Sequence, residues 1–192
     1  MPNKAAIKDF VVELLKNNLP AHLYYHNVEH TIYVVDKVVE IAQHENCNTK
    51  EIELLYAAAC WHDAGYINTY KGHEEESCKL AKQYLLKYEF TNNDIDTICK
   101  IIMATKLNYI PQNKLEKIMV DADLEYLGTE NASIFANNLF RELKYLNPLL
   151  EEKEWNKMQI SFLKKHQFYT KYCKEKKAVL KEAYLQHLIS IQ

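Results

Sequence analysis

The chain has little glycine, little proline and almost no net charge, and each shortage excludes something. Its 192 residues contain three glycines, Gly65, Gly72 and Gly128, and four prolines. A Walker A loop or a dinucleotide-binding fingerprint groups its glycines so that backbone amides can approach phosphates, and no two of these three have either spacing. Any phosphate bound here must be held by side chains or by a metal. Glycine and proline also punctuate turns and strand ends, so their scarcity points to long helices joined by short connections. A formal charge of −2 and a pI near 6.4 leave no basic field to hold nucleic acid by its phosphates. A small ligand or another protein is the expected partner. The five cysteines are odd in number and form no C-x-x-C pair, which predicts free thiols in a reducing cytoplasm, with Cys60 and Cys99 in the core. The N-terminal stretch interrupts its apolar residues with Lys8, Asp9 and Glu13, so neither a signal peptide nor a membrane span is expected there, and no other stretch is apolar for long enough to cross a bilayer.

What is present is a helical rhythm. The composition, 48% hydrophobic against 26% charged, is that of a globular protein, and no repeat, low-complexity tract or linker divides residues 1–192, so one all-α domain is predicted. Ile7, Phe10, Val11, Leu14 and Leu15 fall on one helical face, as do Val35, Val38, Val39 and Ala42. The first helix should stop near Asn17–Pro20. Asn48 with Glu51 three residues later has the form of a capping box, opening a helix that carries Ile52, Leu55, Tyr56 and Ala59 and ends near Gly65. Further helices are expected at about 74–89, 93–105, 113–127, 131–145, 152–166 and 170–189, with ends uncertain by roughly 2–4 residues.

Three places in this helical chain hold metal-ligand residue types: His26 and His30 in "YHNVEHT", the adjacent pair His62-Asp63 in "CWHDAGY", and Asp121 and Asp123 in "VDADLEYLG". Imidazole nitrogen with carboxylate oxygen suits Mn²⁺, Fe²⁺, Co²⁺, Ni²⁺ or Zn²⁺. Neighbours on a helix point about 100° apart, so His62 and Asp63 share an ion only where the helix ends. Taken singly, a histidine or an H-D dipeptide is commonplace, and His44, His166 and His187 are assigned to ordinary packing. The combination is much rarer.

In order along the chain, "YHNVEHT", "AAACWHDAGY", "IIMATK" and "DADLEYLG" resemble the HD-domain superfamily of metal-dependent phosphohydrolases, in its small stand-alone bacterial form. The resemblance spans about residues 24–128. It implies a single-domain HD-type helical bundle, with residues 129–192 packing on the motif-bearing core. It implies one divalent metal (Mn, Fe, Co, Ni, Zn or Mg) on His30, His62, Asp63 and Asp123, Asp123 being preferred to Asp121 for its place in the "A-D" step before the helix end. "IIMATK" lacks the histidine that many members use for a second metal. Function is then expected to be hydrolysis of a phosphate ester or anhydride, the substrate being a phosphorylated small molecule and most simply a nucleotide.

Around those ligands the resemblance makes His26 a proton donor, as in the related cyclic-nucleotide phosphodiesterases. Glu75, in "GHEEESC", is a candidate base or partner of the attacking water, although three glutamates at a helix start also suit the helix dipole. Asp63 is counted in the catalytic set as well as among the ligands. Lys106, Tyr66 and His73 are candidates for substrate contact. Two other readings stand beside this one. "HNVEH" fits the inverted zinc-protease motif H-x-x-E-H, with both histidines on zinc and Glu29 as base, since residues four apart on a helix face the same way. A non-catalytic HD module that senses a nucleotide or docks on a partner is the other.

Overall fold

A computed structural model describes residues 4–191, and among these the chain forms ten α-helices and no strand. In order they are α1 (Lys4–Asn18), α2 (Val28–His44), α3 (Thr49–Trp61), α4 (His73–Tyr84), α5 (Asn92–Met103), α6 (Lys114–Asp123), α7 (Ala132–Leu146), α8 (Glu152–Lys165), α9 (Lys171–Lys176) and α10 (Ala178–Ser190). Short 3₁₀ turns follow α3 (Ala64–Ile67), α4 (Leu85–Tyr88) and α6 (Glu125–Gly128).

The helices begin where polar side chains satisfy their free amides. Asn48 accepts from the Glu51 amide at 2.9 Å while Glu51 accepts from the Asn48 amide at 2.8 Å, the reciprocal pair the sequence predicts. Asn27 accepts from the His30 amide at 2.9 Å and opens α2. That cap falls between the two histidines of "HNVEH", so His26 sits in the turn before the helix and His30 in its first turn. The assumption that both lie on one helical face is therefore corrected.

Two hydrophobic clusters result. The larger one joins α1 to α6 through Ile7, Val11 and Leu15 with the buried faces of α2, α3 and α5. The smaller gathers Tyr126, Leu127, Ile160, Leu163, Leu185 and Leu188 from the C-terminal helices and the turn after α6. Buried carboxylates join the two parts. Asp121 accepts from the amides of Tyr169 and Thr170, at 2.9 and 2.7 Å, and from the Thr170 hydroxyl at 2.6 Å. Glu125 pairs with Lys177 and accepts from the Tyr33 hydroxyl.

The one helix expected over 170–189 is two, broken at Lys177. Gly128 packs directly against that break, where an added Cβ would lie 2.5 Å from both the Cβ and the carbonyl oxygen of Lys177. Likewise the helix expected over 113–127 ends at Asp123 and tightens into the 3₁₀ turn. Both departures bring residues to the same region of the molecule.

Candidate metal centre

His30, His62 and Asp123 present ligand atoms that lie within 4.8 Å of one another. His30 Nε2 is 3.1 Å from Asp123 Oδ1 and 3.5 Å from Asp63 Oδ2, and His62 Nε2 is 3.2 Å from the same Asp63 oxygen. Three separate chain segments meet here because each residue sits at a helix end: His30 in the first turn of α2, His62 and Asp63 just past α3, Asp123 last in α6. The helix end is what lets the adjacent His62 and Asp63 converge. His62 Nδ1 lies 2.8 Å from the Ala59 carbonyl, which leaves Nε2 to face the cluster.

The set fits a divalent cation. His62 Nε2 and Asp63 Oδ2 are buried and have no hydrogen-bond partner, a costly state unless something positive lies between them. Electrostatics point the same way. Burial opposes charge on His62, yet the neighbouring carboxylates of Asp63 and Asp123 outweigh it and push its pKa up to about 9. Burial also opposes charge on Asp63, and the imidazoles of His62, His26 and His30 still hold it well below the usual carboxylate range. The cluster attracts positive charge, and a metal ion bound there would take the place of protons.

His26 is not part of this cluster and is held separately. Its Nδ1 lies 2.5 Å from Glu142 Oε1, and Glu142 Oε2 accepts from the backbone amides of Tyr25 (2.9 Å) and His26 (3.1 Å). Tyr70 adds its hydroxyl to Glu142 at 3.1 Å. Glu142 is wholly buried on α7, and nothing in the sequence around it marks it as functional. Burial works against a charged His26, but the bond to Glu142 and the carboxylates of Asp63 and Asp123 raise its pKa above the ordinary imidazole value. Tyr66 is stacked between His26, at 4.3 Å between ring centroids, and His73, at 3.9 Å, so it spaces two imidazoles.

A cavity of about 360 Å³ opens beside the ligands. One end is polar, with His26, Asp63, His73, Glu74, Thr105 and Asp123. The α4 residues reach it because Ser77 clamps that helix to the H-D turn, accepting from the Gly65 amide at 2.8 Å and donating to the His62 carbonyl at 2.7 Å. Gly65 has to be glycine, since a Cβ there would meet the His73 carbonyl at 2.0 Å.

Other expected contacts fall outside the cavity. Glu75 is 46% exposed and pairs with Lys106, itself 43% exposed, and neither lines it; Glu74, one residue earlier and buried, does. Neighbouring positions on a helix diverge, and the sequence could not say which of three glutamates turns inward. Tyr66 also lies behind the lining. Glu29, the base of the inverted-protease reading, is exposed, and His30 converges with His62 and Asp123 rather than with His26.

The HD domain family model matches residues 27–125, more than half of the chain. No curated protein matches. Among solved structures, a predicted HD superfamily hydrolase from an uncultured Thermotogales bacterium is 21% identical, with a TM-score of 0.61 over 98% of this chain and 92% of that one. Bacillus subtilis YpgQ in complex with ADP is 16% identical, with a TM-score of 0.67 over 98% of this chain and 94% of that one. Both share the fold. With His30, His62, Asp63 and Asp123 inside the matched span, the chain belongs to the HD domain family.

Proposed function

We propose that the protein is a metal-dependent phosphohydrolase that cleaves a phosphate ester or anhydride of a nucleotide. The observation that carries this is the meeting, at one end of one cavity, of a four-residue His/Asp cluster with orphaned atoms and an imidazole held separately by a buried carboxylate. The ADP bound to the structurally similar YpgQ supports a nucleotide ligand. A divalent ion on the cluster would supply the acidity that makes water nucleophilic toward phosphorus near neutral pH. The chain's own residues do the rest. Glu142 fixes the His26 ring by its Nδ1, which leaves the opposite nitrogen of this cavity-lining residue to carry a proton to the departing oxygen. Glu74, at the same end, replaces Glu75 as the carboxylate able to orient the attacking water.

The test separates ligand from proton donor. His26→Ala keeps metal content near wild type while turnover of phosphoesters falls by roughly 10²–10⁴. His30→Ala loses most of its metal. Should His26→Ala emerge metal-free and His62→Ala retain a full complement, the protease arrangement holds instead. A protein that binds nucleotide and turns over nothing with Mn²⁺, Fe²⁺, Co²⁺, Ni²⁺, Mg²⁺ or Zn²⁺ is the non-catalytic module.

A further inference from the structure

The far end of the cavity differs from its polar end. Leu124, Leu127, Leu139, Met158, Phe162 and Leu163 wall it, and no lysine or arginine is among its lining residues. The one arginine of the chain, Arg141, lies over the Tyr24 ring at 4.1 Å. Lys106, between the lining residues Thr105 and Leu107, is paired with Glu75 and is not in the lining. Three carboxylates, Asp63, Glu74 and Asp123, already face the polar end.

That balance sets how much negative charge a ligand can bring. A nucleoside triphosphate carries about four negative charges, and sites that accept one surround it with Lys, Arg and metal. Here only the two imidazoles of His26 and His73 and whatever ion the cluster holds are there to meet it, with no lysine or arginine beside them. These match a single phosphoryl group. Beyond it, the apolar wall suits an uncharged body. On the apolar wall, Gln159 accepts from the Tyr184 hydroxyl at 2.7 Å and donates to Asn156 at 3.2 Å, which leaves its amide a second N–H. Trp155, 7% exposed and in the same lining, has an indole nitrogen with no partner. An aromatic, uncharged ring with a polar edge answers all of these features.

Resting on the phosphohydrolase reading, we infer that the substrate is a nucleoside monophosphate, its single phosphoryl group at the His/Asp cluster and its base in the chamber built by α7, α8 and α10, and that di- and triphosphates are discriminated against. In the reaction the water oxygen bonds to phosphorus as the ester P–O bond breaks. The His26 proton goes to the leaving oxygen; of the water's two protons one stays on the released phosphate and the other restores His26. The products are a nucleoside and inorganic phosphate.

Calorimetry on His26→Ala loaded with Mn²⁺, which turns over slowly enough to keep ligands intact, measures binding apart from chemistry. For at least one common base, the monophosphate should bind about tenfold or more tighter than its triphosphate. Adding Phe162→Ala, at a position already 37% exposed, should weaken the monophosphate roughly 5- to 100-fold, the worth of a base–aromatic contact, with inorganic phosphate affinity unchanged. Equal or tighter binding of the triphosphate overturns the inference, as does a monophosphate affinity indifferent to Phe162. Preferential monophosphate binding without hydrolysis by the wild-type protein would leave the chamber assignment standing and sink the phosphohydrolase reading.

Discussion

The two ends of the cavity come from two parts of the chain that use residues in different ways. The polar end is built by residues 26–123, where each functional group is a residue type with few alternatives: imidazole or carboxylate, placed at a helix end. The apolar end comes from the turn after α6 and from α7, α8 and α10, where leucine, methionine and phenylalanine are as suited to core as to a binding wall. On the proposed reading, chemistry in the first part is set by atom types, and selectivity in the second by shape and by which charges are left out. Glu142 crosses that division. It lies on α7, outside the matched span, yet its carboxylate holds a histidine of the first part.

Asp121 and Asp123, two residues apart, break the comparison most sharply. Asp123 faces the metal cluster, and Asp121 faces the other way to hold the chain entering α9. Asp123→Ala should remove most of the metal and lower turnover at least about 10³-fold, since an electrostatic stabiliser of the reacting centre is lost. Its resistance to urea, measured on metal-free protein, should match wild type. Asp121→Ala should do the reverse, costing roughly 2–4 kcal/mol in urea unfolding because two amides and a hydroxyl lose their buried acceptor, with metal content per folded molecule retained. If the two variants exchange phenotypes, the assignment of ligand and anchor is inverted.

Much of this was legible in the sequence, and the failures have causes. The convergence of His30, His62 and Asp123 can be anticipated because a cluster able to hold a metal restricts residue type, and scarce glycine and proline announce helices. The spacing of His26 and His30 suggests one helical face, and the cap at Asn27 between them removes it. Sequence cannot tell Glu74 from Glu75, because a helix start with three adjacent glutamates gives no phase until its packing against Gly65 and Ser77 is known. Glu142 gave no local signal at all. Its partners lie 72 to 117 positions away in the chain, and a buried carboxylate looks in sequence like any glutamate on a solvated helix.

That silent residue supplies the next effect in size. Glu142→Gln keeps the shape and removes the charge, and as a positioning change it should cost roughly 10–100-fold in turnover with metal content intact. A merely structural role would leave the pH profile in place, whereas this one moves it. Glu142 is among the causes that raise the His26 pKa. A proton donor is active below its pKa and lost as pH rises through it, so lowering that pKa shifts the basic limb of the kcat profile to lower pH. A limb that stays put in Glu142→Gln would mean that His26 is not the donor or that Glu142 does not tune it.

The smallest expected effect concerns Glu75 and Lys106, which separate residues near the site from residues in it. Their ion pair joins α4 to the segment after α5, with both side chains more than two-fifths exposed. Pairs so open to solvent are screened by water and salt and hold little free energy. Glu75→Ala and Lys106→Ala should each leave kcat/KM within about twofold of wild type, while Glu74→Ala, one residue from Glu75 but lining the cavity, should lower it roughly 10²-fold if its carboxylate orients the attacking water. The contrast is informative because all three positions lie within or beside the same motifs, and only burial and direction distinguish them. A large loss in Lys106→Ala, confined to KM and relieved by arginine, would instead show the lysine swinging in to a phosphate when substrate binds. The charge balance that favours a single phosphoryl group would then have to be redrawn with one more cation in it.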